Sequence, residues 1–331
     1  MKESRVVGRA LGFRFKLLEL QLDGSGAAID AVRDHISASN SRILILDVPL
    51  SDLTELSGQL AGENVIMFNP RHRANRLRRQ DCQPVLFHTV PSEAMAMDSL
   101  AQLLRKRNWV RVLMLVGEHT RDKATAGAFT ASAKKFGLTI VDRRTFTLRN
   151  DPRQRDKNNI ALLTGGDYDA VFISDETGDF GRYVPFQTAL PRPVVGAHGL
   201  RASAWHWTWE RHGAPQLNQR FARRVKRQMS EADWAGWAAV KSVIEAVSRT
   251  KRTDVEAIAE FLASSQFVLD GYKGTPGSFR TWNNQLRQPI LLHTHDAVIE
   301  RAPLDGFLHQ TSTLDTLGDD APASECSFAT R

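Results

Sequence analysis

Three stretches of the chain carry the residue types from which a binding or catalytic site is made. Gly117-Glu118-His119-Thr120-Arg121-Asp122 follows the apolar run Val110 to Val116 and precedes a helical pattern. A strand that ends in such a loop delivers it to a helix N-terminus, where free N–H groups and the helix dipole favour an anion. Thr120 or Asp122 also suits a plain capping role at this position. Tyr168 to Ser174 likewise ends in Asp175 and Glu176, the residue types of acid/base or metal chemistry. Neighbours on a strand point to opposite faces, so the two do not make a catalytic pair, and one of them at most faces a cleft. The third stretch is Trp205-His206-Trp207-Thr208-Trp209, just after His198. Read as an extended strand, it puts three indoles on one face, either as a platform for a flat ligand or as cover for a core.

Other constellations are weaker. His293 and His295 alternate onto one strand face with Asp296 beside them, a partial metal set that lacks further ligands. Gly24-x-Gly26 with Asp47 imitates a dinucleotide fingerprint, but Ile29 stands where the third glycine belongs and obstructs close helix packing. No G-x-S-x-G elbow is present, which leaves an NAD-linked or hydrolytic enzyme as the weaker alternative. The basic run Arg71-His72-Arg73-Ala74-Asn75-Arg76-Leu77-Arg78-Arg79 lacks the interleaved aromatics of a single-strand binder and reads as a solvated loop, not a nucleic-acid site.

The elements that must position these residues alternate. Phe13 to Leu22 reads as a strand closed by a turn at Asp23-Gly24-Ser25-Gly26. A helix to Ser37, strand Ile43 to Leu46, helix 51–60 and strand Val65 to Phe68 follow. Strand Val85 to His88 completes one doubly wound lobe. Ser92 caps a helix running to Arg107, and a second lobe then takes strand Val110 to Val116, a helix to about Phe136, strand Leu138 to Phe146, a charged helical stretch, and strands ending at Ser174 and Gly196. A basic helix from Pro215 to Met229 precedes an amphipathic helix from Glu231 to Arg249, capped by Ser230, and a shorter one over 253–263. A turn-rich passage then leads to strand Ile290 to His293.

With 331 residues the chain exceeds one typical core, and 42% apolar with 24% charged residues describes an ordinary globular protein. The net charge of +7 is compatible with an anionic partner but does not choose among nucleic acid, membrane and small molecule. No apolar run reaches membrane-span length, and the N-terminus shows no signal-peptide core. Cys82 and Cys326 are too few for a disulfide framework, although one bridge between them would tie the tail to the first third of the chain.

Several motifs go further: Cys82-Gln83-Pro84-Val85-Leu86-Phe87-His88-Thr89, Gly213-Ala214-Pro215-Gln216-Leu217, Phe279-Arg280-Thr281-Trp282-Asn283-Asn284-Gln285-Leu286-Arg287-Gln288-Pro289-Ile290, and Leu314-Asp315-Thr316-Leu317-Gly318 with Cys326. From about residue 9 to 326 the chain resembles the ABC-transporter-type substrate-binding proteins associated with pyrroloquinoline quinone (PQQ)-dependent alcohol dehydrogenase systems. These are relatives of the branched-chain amino acid receptors. The resemblance implies an α/β type I periplasmic binding fold of two doubly wound lobes joined by a three-crossover hinge, with crossings near residues 90, 229 and 288. The N-lobe would take 1–90 and 229–288, and the C-lobe 91–228 and 289–331 with the tail.

It further implies a non-enzymatic, monomeric receptor in the periplasm, with an ABC permease as partner and no required cofactor or metal. The ligand is held between the lobes and is PQQ itself or a small alcohol, aldehyde or amino-acid-like molecule. PQQ is a flat tricarboxylated quinone, and the residues expected to meet the ligand are Pro91, Ser92, Glu118, His119, Thr120, Arg121, Asp175, His198, Trp205 and Trp207. Cys82 and Cys326 form a disulfide in this reading. Relatives begin with a signal peptide and a first strand and helix, whereas this sequence opens near the second strand, which places the expected start upstream.

Overall fold

The structure, a computed structural model, describes residue 8 and residues 12–22, 28–147, 157–326 and 328. The chain divides into two compact units. The first holds the chain up to Pro91, Ser230–Gln288, and the described tail from Ala321; the second holds Ser92–Met229 and Pro289–Asp320. In chain order the first unit supplies α1 (Ala28–Ser39), β1 (Ile43–Ile45), α2 (Leu50–Gln59), β2 (Ile66–Asn69) and β3 (Leu86–His88). The second then builds α3 (Glu93–Lys106), β4 (Arg111–Val116), α4 (Thr120–Lys135), β5 (Thr139–Thr145), α5 (Ile160–Leu163), β6 (Ala170–Ser174), α6 (Val184–Gln187), β7 (Val194–Gly196), β8 (Arg201–Ser203) and α7 (Ala214–Val225). Back in the first unit come α8 (Glu231–Thr250), α9 (Val255–Ala263), β9 (Ser278–Phe279) and β10 (Leu286–Arg287), before β11 (Ile290–His293) and β12 (Val298–Ala302) in the second.

The first unit's sheet is parallel, in the order β1-β2-β3. Its strands are short apolar runs because parallel strands are covered on both faces. Leu53, Leu56 and Leu60 from α2 and Val32 and Ile36 from α1 pack with Met67 and Leu86 in one core cluster. Residues 13–22 do not form the expected strand. They lie outside any ladder, and Leu17, Leu18 and Leu20 are exposed. Alternation marks a face to bury, but a strand also needs a neighbour to take its backbone hydrogen bonds, and β1 pairs with β2 alone among the described strands. The turn expected at Gly24 and Gly26 lies outside the described residues, as does much of the charged stretch after Phe146.

The second unit's main sheet is parallel in the order β5-β4-β6-β7, and a second sheet, β12-β11-β8, is antiparallel. Helices α3 and α4 cover the main sheet with Met95, Leu100, Leu104 and Phe129, and Phe129 stacks on Phe172 of β6 with ring centroids 3.9 Å apart. The helix starts follow local chemistry: Ser92 Oγ accepts Met95 N–H at 3.1 Å, and Ser230 and Asp233 cap α8 reciprocally.

Two further expectations are corrected. The tail does not stay with the second unit; from Ala321 on it belongs with the first, where Cys326 is bonded to Cys82 across 244 residues. The basic run 71–79 is not a solvated loop throughout, because Arg78 is 1% exposed and its guanidinium is consumed by buried acceptors.

Candidate ligand-binding site at the carboxyl ends of β4 and β6

In the order β5-β4-β6-β7 the chain leaves β4 toward β5 on one side and leaves β6 toward β7 on the other. Adjacent strands whose connections diverge leave a crevice beyond their carboxyl ends, and ligands of open α/β sheets bind there. The loop after β4 is Gly117-Glu118-His119, running straight into α4; the loop after β6 begins at Asp175.

Asp122, in the first turn of α4, stitches the two loops together. One carboxylate oxygen accepts His119 N–H at 3.1 Å, the helix-capping contact; the other accepts Glu176 N–H at 2.6 Å from the loop after β6. Ser174 Oγ donates to the main-chain carbonyl of Asp122 at 2.9 Å. Burial pushes the Asp122 carboxyl pKa up, against the two N–H donors that favour its charge. Residue 117 must be glycine, since a Cβ there would lie 2.3 Å from the Asp122 carboxylate.

Asp175 organises its own loop. One oxygen takes Thr177 Oγ1 (3.0 Å) and Gly178 N–H (3.1 Å), and the other takes Phe180 N–H (3.1 Å) and Gly181 N–H (2.6 Å). The His198 ring, arriving after β7, lies against the same loop. A Cβ on Gly181 would stand 2.6 Å from His198 Cδ2, so the glycine permits this approach. Burial lowers the His198 pKa, helped by the nearby Arg201 charge and opposed by Asp175. The rim is charged: Glu118, His119, Thr120 and Arg121 are exposed, and Arg121 pairs loosely with Glu176 at 3.7 Å.

The tryptophan stretch is not a strand. β8 ends at Ser203, and the main-chain N–H of Trp209 donates to His206 O at 3.0 Å in a turn, so the extended backbone that would align the three indoles on one face is absent. Trp205 is 2% exposed and donates its indole N–H to Asn218 Oδ1 at 3.0 Å; Trp209 is also buried. Trp207 is the exposed one, at 40%, and its carbonyl accepts Asn218 Nδ2 at 2.8 Å. His206 stacks on His293 with centroids 4.1 Å apart. Both His293 ring nitrogens are engaged, with Thr294 O at 2.6 Å and Ser203 Oγ at 3.0 Å, while His295 sits exposed beside Asp296. The two histidines of the weak partial metal set are thus divided between a packed ring and a solvated one.

The structure therefore brings together Glu118, His119, Thr120, Arg121, Asp175 and His198 at one end of the second unit's sheet. Ser92 serves α3 as its cap, and Pro91 closes the first unit's segment. Sequence reasoning missed Asn218, which fixes both Trp205 and Trp207, and the His206–His293 stack. Neither has a local signal, because the partners come from different elements. The Asp122 carboxylate is held by main-chain donors and that of Asp175 by main-chain donors and the Thr177 hydroxyl, so both fix the loops that carry them.

No protein-family model matches this chain, and no curated protein matches it. Solved structures do. A leucine-, isoleucine-, valine-, threonine- and alanine-binding protein from Brucella ovis, in a closed conformation, is 18% identical with a TM-score of 0.75, covering 100% of this chain and 93% of that one. An ABC-transporter solute-binding protein from R. palustris in complex with benzoate is 12% identical with a TM-score of 0.68, covering 98% and 93%. A branched-chain amino acid transporter substrate-binding protein from Streptococcus pneumoniae, in complex with isoleucine, is 15% identical with a TM-score of 0.67, covering 90% of each chain. The chain has the type I periplasmic binding protein fold. No helix among the described residues is long and apolar enough to cross a membrane.

Proposed function

We propose that this chain is the ligand receptor of an ABC-type uptake or sensing system, working in the periplasm and delivering a small carboxylate-bearing molecule to a permease. The observation that carries the reading is the Asp122 stitch, which holds the loops after β4 and β6 and presents the start of α4 with the exposed His119, Thr120 and Arg121. Helix-terminal N–H groups and the guanidinium of Arg121 suit a carboxylate. The ligands named for the similar solved proteins, benzoate and isoleucine, both carry one. Binding by such a receptor needs no chemistry, only two populations of the two units that a ligand shifts.

The finer reading is that the ligand is PQQ. It rests on the resemblance of the sequence motifs to receptors associated with PQQ-dependent alcohol oxidation, and on the exposed face of Trp207 in the same unit. Trp205, fully packed and hydrogen-bonded, is no part of this reading. A thermal-shift and tryptophan-fluorescence screen with PQQ, benzoate, isoleucine, a short-chain alcohol and NAD separates the alternatives, because a ligand that binds only the folded state raises the melting temperature. Micromolar binding of PQQ, about −8 kcal/mol, supports the finer reading. A shift with benzoate or isoleucine alone refutes it but keeps the receptor. A shift with NAD and turnover of a substrate refutes both.

A further inference from the structure

The chain leaves or re-enters the first unit at Pro91, Ser230, Gln288 and Ala321, and two of these four connecting segments, those at Pro91 and Gln288, are joined within that unit. His88 N–H donates to Asn284 O at 2.9 Å, and His88 bridges Gln285 in parallel. The carbonyls that follow are then closed by side chains. Gln285 Nε2 donates to His88 O (3.3 Å) and Val90 O (3.1 Å), and Gln288 Nε2 donates to Thr89 O (2.8 Å).

Arg78 from the basic loop holds this junction from behind. Its Nε donates to Gln285 Oε1 (2.8 Å), Nη2 to Val90 O (3.1 Å), and Nη1 to His72 O (2.7 Å) and Ala74 O (3.2 Å). The same loop reaches the connecting segment at Ser230, since Arg73 Nη2 binds both carboxylate oxygens of Glu231, the first residue of α8. Arg78, Gln285 and Gln288 are 1%, 0% and 1% exposed. A buried guanidinium is an expensive way to fill space, and apolar residues of similar volume do it better. A rigid planar fork, by contrast, fixes the mutual register of several carbonyls at once.

We propose that the basic loop 71–79 is the seat of the hinge and that Arg78 is its positioning residue. Arg78 locks the first and third connecting segments into one body, so that the second unit turns about a preset pivot. This rests on the receptor reading, in which the two units move. Arg78 then acts without touching ligand: its partners Gln285, Val90, His72 and Ala74 all lie in the first unit, so it fixes the pivot itself, and its loss loosens the pivot and admits more orientations of the two units.

The test uses the full chain without ligand, with spin labels on non-canonical residues at the exposed positions Thr253 and Lys134, one in each unit. Arg78→Lys keeps the charge and removes the fork. It is expected to widen the inter-unit distance distribution at least about twofold and to speed exchange of the His88 amide about tenfold or more. Gln102→Met is the control. Gln102 is an equally buried clamp in the second unit, bonded to Thr316 Oγ1 and Leu304 N–H, and its loss should lower stability with no widening. If Arg78→Lys does not fold, Arg73→Gln, which removes the ion pair to Glu231, is expected to widen the distribution to a lesser degree. Equal melting losses in the Arg78 or Arg73 variant and the control, with unchanged distance distributions, overturn the proposal and leave Arg78 a packing residue. A wild-type distribution that is a single rigid distance with every screened ligand overturns the receptor reading itself.

Discussion

The carboxylate of Asp122 accepts the main-chain N–H of Glu176 at 2.6 Å, joining the loop after β6 to the first turn of the helix that follows β4. One buried side chain thereby holds both walls of the crevice at the point where the sheet's connections diverge.

Asp122→Ala should therefore damage two loops at once. The part-buried Glu176 and His119 N–H groups lose a charged acceptor, and a hydrogen bond to a charged group is worth about 1.5–3 kcal/mol at most where water can reach the donor. Urea denaturation should show a loss of about 2–5 kcal/mol. Hydrogen exchange at His119 and Glu176 should accelerate, while that of β1 to β3 stays unchanged. A loss below about 0.5 kcal/mol contradicts this role.

The indoles should separate cleanly. Trp205→Phe removes the N–H that meets Asn218 and should destabilise by about 1–3 kcal/mol. Trp207→Ala, at an exposed site, should stay within about 0.5 kcal/mol of the parent. Under the PQQ reading, Trp207→Ala should also weaken PQQ-induced fluorescence quenching, and unchanged quenching removes Trp207 from the ligand.

Acid should weaken the fold from pH about 6.5 downward. Burial lowers the pKa of His88, His198 and His206, with Arg78 adding to it for the first and Arg201 for the other two. Below the unfolded value the unfolded chain binds more protons than the folded one, so this part of the stability is complete above about pH 6.5 and is lost as pH falls toward the folded pKa values. Asp98 and Asp122, whose pKa values burial raises, act in the opposite sense between their folded values and the ordinary carboxylate range. Urea midpoints at pH 7.5, 6.5 and 5.5 should fall in that order, and His206→Gln should reduce the slope. A midpoint that rises on acidification rejects the histidine account.

Reduction of Cys82–Cys326 should destabilise the first unit. The bridge spans 244 residues, and closing so long a loop restrains the unfolded chain strongly, with about 2–5 kcal/mol lost on removal of a native bridge. Both cysteines belong to the first unit, so exchange in β1 to β3 should rise before exchange in β4 to β7. Equal sensitivity of the two sheets argues against this assignment.

The alternation of apolar runs with helical patterns was enough to locate most strands, since a buried parallel strand and an amphipathic helix each leave a local period in the sequence. Ser92 and Ser230 were legible as caps because a cap acts within three residues of itself. The segment Gly117 to Asp122 was legible as a strand-to-helix connection because strand, loop and helix are consecutive. Periodicity alone misread residues 13–22 as a strand, and it misread the three indoles as one face because it presumed an extended backbone that turns at His206.

What the tertiary structure decided are the pairings made at a distance. Arg78 lies 207 residues from Gln285, Asp122 lies 54 from the Glu176 amide, and Trp205, beyond the end of β8, meets an asparagine on α7. A buried polar group must find a partner, but nothing in its own neighbourhood says which one. The choice is made when distant segments are packed together, and here that choice separates a solvated basic run from a buried junction and a ligand platform from a core tryptophan.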